Sequence, residues 1–286
     1  MNVLSIYTKQ IRKNWLIWFL PILVLTGMSF LMVAIWPSFE EYMAGFGDLL
    51  EQPFYKALLP EGADFTSVEG FIAMEIFTMA DIFFMALILL FGIQLVNREV
   101  DSGTMDFVLS FPVPRWRFIL EKVFAYITVT FSFPVFSAGI AIVGAEILGV
   151  ELKPHGGEAY FLALVGKWLL YFTMTCVVIL ISVIFMDTGK TLAFGGLFVG
   201  GSYLLKTIGG LVTAADPDLA TLLREASFYH YLDGGRIMNK VIETGGLTSN
   251  LVQEFLGMAI IAAVLIALTI IIFDNPLFQK REFTYV

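Results

Sequence analysis

Six long apolar runs, separated by short polar interruptions, set the plan of this chain. They cover roughly residues 16–36, 75–96, 118–148, 160–186, 191–211 and 255–273. Each meets or approaches the ~20 residues that a helix rising ~1.5 Å per residue needs to cross ~30 Å of hydrocarbon. The third and fourth are longer than that, which predicts tilt, a kink or projection beyond the bilayer, and Pro134 marks the kink in the third. Residues 2–15 place Val3, Ile6, Tyr7 and Ile11 on one face and Lys9, Arg12 and Lys13 off it, predicting an interfacial helix that runs into the first span. Two of the connections are also patterned. In SFEEYMAGFGDLLEQPFYKALLPEG the residues Phe39, Tyr42, Met43, Phe46, Leu49 and Leu50 recur at helical spacing. In ADPDLATLLREASFYHYLDGG, Asp216 suits an N-cap and Pro217 the first helical position, with Leu219, Leu222 and Leu223 on one face. Short amphipathic helices at the membrane surface are expected in both.

The interruption between the second and third runs, NREVDSGTMDFVLSFPVPRWRFILEK, carries eight charged residues in 26 positions. Within it Val100, Thr104, Phe107, Val108 and Phe111 fall on one stripe of a helix about ten residues long. Pro112 and Pro114 forbid its continuation. The opposite face of that helix presents Arg98, Glu99, Asp101, Ser102 and Asp106, mixed charges suited to a protein partner or simply to water.

Composition fixes the class. With 58% hydrophobic and 15% charged residues in 286, and a mean hydropathy of +0.83, the chain has too little polar surface for a water-soluble globule. An all-α polytopic membrane protein is predicted, with residues 1–286 as a single membrane domain. The N-terminal run exceeds the ~7–15 residues of a signal-peptide core and lacks an A-x-A site, so it reads as a retained span. The one cysteine, Cys176, excludes an intramolecular disulfide, and His155 and His230 have no ligand partners at metal-binding spacing.

Charge sets the orientation. With the N-terminus cytoplasmic, the inner segments hold Lys9, Arg12, Lys13, Arg98, Arg115, Arg117, Lys122, Lys190, Lys280 and Arg281. The longer outer segments hold only Lys56, Lys153, Arg224, Arg236 and Lys240. That bias predicts both termini in the cytoplasm. The excess acidic residues, which give the net charge of −8, then lie outside.

Ionisable groups within spans are expensive and mark candidate functions. Asp81, with Glu75 and Thr78 at i−6 and i−3, could line a vestibule for a polar or cationic substrate. Alternatively Asp81 pairs with Lys167 or Lys206 and only holds the bundle together. Gly196 and Gly200 have G-x-x-x-G spacing and predict close helix packing, within the chain or between copies. No G-x-x-x-x-G-K-[ST] phosphate loop is present, the nearest approach being IFMDTGKT.

The polar interruption carries a resemblance. Glu99, the pair Gly103 and Thr104, then Asp106, Leu109, Ser110, Pro112 and Arg115, placed after the second of six spans, resemble the cytoplasmic loop of type 2 ATP-binding-cassette (ABC) exporter permeases. Asp106 stands where that family more often has Glu. The resemblance implies a coupling helix, with Arg98, Glu99, Gly103, Thr104, Asp106, Pro112 and Arg115 docking on ATPase subunits. It further implies two cytosolic ABC ATPases that bind ATP and Mg, no cofactor on this chain, and a second permease copy, identical or related, in the plasma membrane. Nucleic acid has no place in this scheme. An ion-coupled transporter using Asp81 and Lys206, and a lipid-modifying membrane enzyme using Asp81, Glu75 or His230, are the alternatives.

Overall fold

The computed structural model describes residues 5–43, 67–105, 114–213 and 215–274, and these are helical almost throughout. The six apolar runs become six membrane-length helical segments. The first is α1 (Ser5–Met43), in which the amphipathic start and the first span form one helix. Pro21 and Pro37 lie inside it without ending it. The second is α2 (Val68–Asp101), whose N-cap Ser67 accepts a hydrogen bond from the Gly70 amide. It begins seven residues before the apolar run, because Glu69 and Gly70 lower local hydropathy without interrupting the helix.

The third span is divided into α3 (Arg115–Thr130) and α4 (Ser132–Leu148) at Phe131. Pro134 has no N–H for the Thr130 carbonyl, so the ladder fails where the sequence predicts a kink. The Thr130 hydroxyl donates to the Tyr126 carbonyl and accepts from the Trp168 indole, which fixes the bend against the fourth span. Next come α5 (Gly156–Phe185) and α6 (Thr188–Val212), joined by a tight turn in which Asp187 caps α6 through the Lys190 amide at 2.7 Å. The turn is therefore a helix start.

After α6 lie α7 (Pro217–Ala226), a 3-10 turn (Phe228–His230), α8 (Gly234–Thr244) and the last span, α9 (Ser249–Asp274). Asp216 caps α7 through the Leu219 amide, and Pro217 opens the helix, as the sequence predicts. Leu219 and Leu222 are exposed, while Ala220 packs inward. The stretch of residues 227–244 re-enters the bundle. Ile237 of α8 lies against Gly166 of α5, and Gly234 against Phe77 of α2. Both contacts sit nine or ten residues, roughly 15 Å, inside those helices.

At the centre, α5 packs on α2, α4, α6, α8 and α9. Its approach to α2 is close: a Cβ on Gly92 would overlap the Val178 side chain. The core is aromatic, with Phe84 stacked on Tyr171 at 4.3 Å and Trp18 edge-on to Phe91 at 5.4 Å. The helices alternate in direction. The start of α1, the end of α2, the start of α3, the α5–α6 turn and the end of α9 therefore meet at one end of the bundle, here the loop end. Segments α7 and α8 belong to the opposite, far end.

The proposed helix at residues 39–50 falls largely outside the described residues, as do the basic cluster near the C-terminus and positions 106–113 of the polar interruption.

Candidate functional site

Two polar constellations stand out, one at each half of the bundle. The loop-end constellation is built on the way α2 stops. Its last residue is Asp101, after which Gly103 takes a left-handed φ of 65°. The Thr104 amide then bonds back to the Glu99 carbonyl at 3.0 Å and the Gly103 amide to the Val100 carbonyl at 3.0 Å. This pair of reverse bonds is a Schellman stop, which satisfies carbonyls that the helix end leaves bare. The Ser102 and Thr104 hydroxyls, 2.8 Å apart, close the turn.

The stop overturns part of the sequence expectation. Val100 belongs to α2, and Thr104 lies beyond the stop, so they do not share one helical stripe. Nor do Arg98 and Glu99 face outward together with Asp101. Arg98 Nη1 donates to Asn14 Oδ1 of α1 at 2.7 Å. Glu99 pairs with Lys122 of α3 at 2.7 Å, and that amine also donates to the Leu95 carbonyl at 2.6 Å. The reason is energetic, since Lys122 is 1% exposed and a buried amine needs both a counter-charge and acceptors. Among the described residues of the interruption, Asp101, Ser102, Gly103 and Thr104 form an exposed knuckle, and Met105 turns back into the core.

The knuckle is tied to its surroundings. Asp101 accepts from the Thr188 hydroxyl at the start of α6, at 2.5 Å. Just behind it the fully buried Asn97 donates to Thr191 Oγ1 at 2.8 Å and accepts from Ser182 Oγ at 2.9 Å, linking α2 to α6 and α5. Arg115 opens α3 and reaches the Phe273 carbonyl at the end of α9, at 3.5 Å, with its guanidinium 5.9 Å from that phenyl ring. The Glu121 carboxylate accepts from the Ile6 and Tyr7 amides at 3.1 and 3.2 Å and from Arg117 Nε at 2.6 Å. It thus satisfies, from α3, two of the amides that the start of α1 leaves without partners in its own helix.

The second constellation is centred on Asp81, which is 2% exposed. Lys167 Nζ of α5 lies 2.8 Å from Oδ1, and Lys206 Nζ of α6 lies 2.9 Å from Oδ2. The Tyr171 hydroxyl donates to Oδ1 at 2.7 Å. Lys206 also faces Asp233 at 3.8 Å, and Asp233 in turn caps α8 through the Arg236 amide at 3.1 Å. Two amines therefore meet two carboxylates, and the cluster is neutral. It binds α2, α5, α6 and the re-entrant segment at a depth where an unpaired charge is costly.

Of the vestibule candidates, Asp81 turns inward and its oxygens are taken up by Lys167, Tyr171 and Lys206. Thr78 is exposed and Glu75 half-buried. Gly196 and Gly200 face open space, with nothing within 4 Å of a Cβ built on either, so no described residue packs against them.

The model of the ABC-2 family transporter protein matches residues 1–282. The chain belongs to the ABC-2 transporter family. No curated protein matches it. An ABC-2 permease is the membrane subunit of a transporter, is not itself an ATPase, and works with ABC ATPase partners. For this permease, sequence reasoning missed Asn14, Asn97, Glu121, Tyr171 and Asp233. Arg117 and Glu121 at i and i+4 carried a weak signal, as did an Asn at the edge of an apolar run. The partners on other helices carried none, since pairing between spans is set by packing.

Proposed function

We propose that this permease is the membrane half of an ATP-driven exporter in the plasma membrane, with both termini cytoplasmic. Two copies, or one copy and a related chain, flank the path. Two cytosolic ABC ATPases, which hold ATP and Mg, dock at the loop end. The observation that carries this reading is the exposed Asp101–Thr104 knuckle and the helices attached beneath it. Through Arg98, Glu99, Asn97 and Asp101 it is joined to α1, α3, α5 and α6. A push on the knuckle therefore reaches several spans at once, as a coupling element requires. This reading also assigns Asp106 and Pro112, which lie outside the described residues, to ATPase docking, and Arg115 links the loop end to α9. Export is the inferred direction. The occupied carboxylate of Asp81 argues against the ion-coupled alternative, because its protons and counter-ions are already replaced by lysine amines.

The test is co-purification from the native membrane followed by ATP hydrolysis in the reconstituted complex. Thr104→Arg alters an exposed side chain and Gly103→Pro removes the stop. Both are expected to leave membrane insertion intact while abolishing transport-coupled hydrolysis. Wild-type transport by both variants sinks the coupling assignment.

A further inference from the structure

At the far end, a cleft of about 580 Å³ belongs to neither constellation. One wall is the 3-10 turn and the start of α8, with Phe228, Tyr231 and Arg236, and the other is the first half of α9, with Glu254, Gly257 and Ile261. Its chemistry is graded. Glu254 and Ile261 lie five and twelve residues into α9, roughly 8 and 18 Å along its axis, so the cleft runs from headgroup depth toward hydrocarbon. At the polar end Arg236 donates through Nη1 and Nη2 to the two Glu254 oxygens at 3.2 and 2.6 Å, and Lys240 Nζ lies 3.8 Å from the same carboxylate. Two cations thus face one anion, and among the described residues the buried Arg236 Nε has no acceptor. His230 adds a further polar edge. At the apolar end Ile261 is exposed, and a Cβ built on Gly257 meets nothing within 4 Å.

A surplus positive charge with a spare N–H above an apolar slot matches a phosphate ester attached to an acyl chain. We propose that this cleft binds a phospholipid, with its phosphate against Arg236 and Lys240 and its first acyl carbons along Gly257 and Ile261. The site needs the membrane-spanning reading of the chain but not ATP coupling, and it is tested without the ATPase.

Purified full-length chain in detergent is equilibrated with equal amounts of phosphatidylglycerol and a diacylglycerol of the same chains. Retained lipid is counted by native mass spectrometry. Phosphatidylglycerol is expected to exceed diacylglycerol by about tenfold, the scale of one charge-assisted contact. Gly257→Phe grows into open space, so it is expected to melt like the wild type and to retain neither lipid. Arg236→Gln is expected to lose the headgroup preference. Equal retention of the two lipids by the wild type overturns the proposal, as does wild-type retention by a folded Gly257→Phe. Should Gly257→Phe fail to fold, Arg236→Gln decides alone: a lost preference supports the site and an unchanged one refutes it.

Discussion

Gly103 and Asp81 show how single residues set the two constellations. At Gly103 the φ of 65° lets α2 stop in one turn, and a side chain there would have room but the wrong backbone preference. Gly103→Ala is expected to cost about 1 kcal/mol, Gly103→Asn less because Asn tolerates the left-handed region, and Gly103→Pro clearly more. Thermal unfolding of the purified chain measures that order, and an alanine variant as stable as wild type contradicts the stop. At Asp81 the logic is electrostatic. Asp81→Asn strands Lys167, which is fully buried, and leaves half-buried Lys206 with the longer contact to Asp233 and the face of the Tyr229 ring. Breaking one side of such a buried set is expected to cost about 3–5 kcal/mol, whereas Tyr171→Phe removes one hydrogen bond worth about 1 kcal/mol. Melting curves showing equal losses for the two variants would mean that the carboxylate is not the hub.

Among the elements, number and order were legible in the sequence because a span needs a long apolar window and little else. The α7 cap was legible because Asp-Pro is a local signal. Other features were written in three dimensions. The Arg98 and Glu99 side chains looked like a docking face because their partners, Asn14 and Lys122, lie on other helices. The re-entrant α8 is absent from the sequence reading although Asp233, Ile237, Met238 and Val241 give it a cap and a buried face, because at 11 residues it is far too short for an apolar window to mark it. The start of α1 is the sharpest case, since two of its amides are satisfied by Glu121, more than a hundred residues away. Glu121→Ala is expected to free the Ile6 and Tyr7 amides at a cost of about 1 kcal/mol, which hydrogen exchange reads as a roughly fivefold faster rate at those two positions. Glu121→Gln keeps an acceptor oxygen and is expected to fall between. Unchanged exchange in Glu121→Ala would show that α1 begins without help from α3.

For the whole molecule, the unused glycine face of α6 bears on assembly. Helices in lipid gain nothing from burying apolar surface against each other, so association depends on how closely backbones approach. Most of the outer surface of this bundle carries large side chains that lipid covers well, such as Ile260 on α9 at 62% exposed. On α6, Gly196 and Gly200 instead leave a bare strip beside Leu197, which is 73% exposed, and none of the described residues fills it. A two-fold axis along that strip would set each glycine near its own copy, the self-complementary arrangement of symmetric dimers. The single cysteine, Cys176, is buried and so leaves a quiet background for cross-linking. Gly196→Cys or Gly200→Cys is therefore expected to give an oxidant-induced dimer in native membranes, since a disulfide forms when Cα atoms approach within about 7 Å. Ile260→Cys is expected to stay monomeric. The reverse pattern, a dimer through Ile260→Cys and none through α6, would place the second copy on the α9 side and leave the glycine strip to lipid.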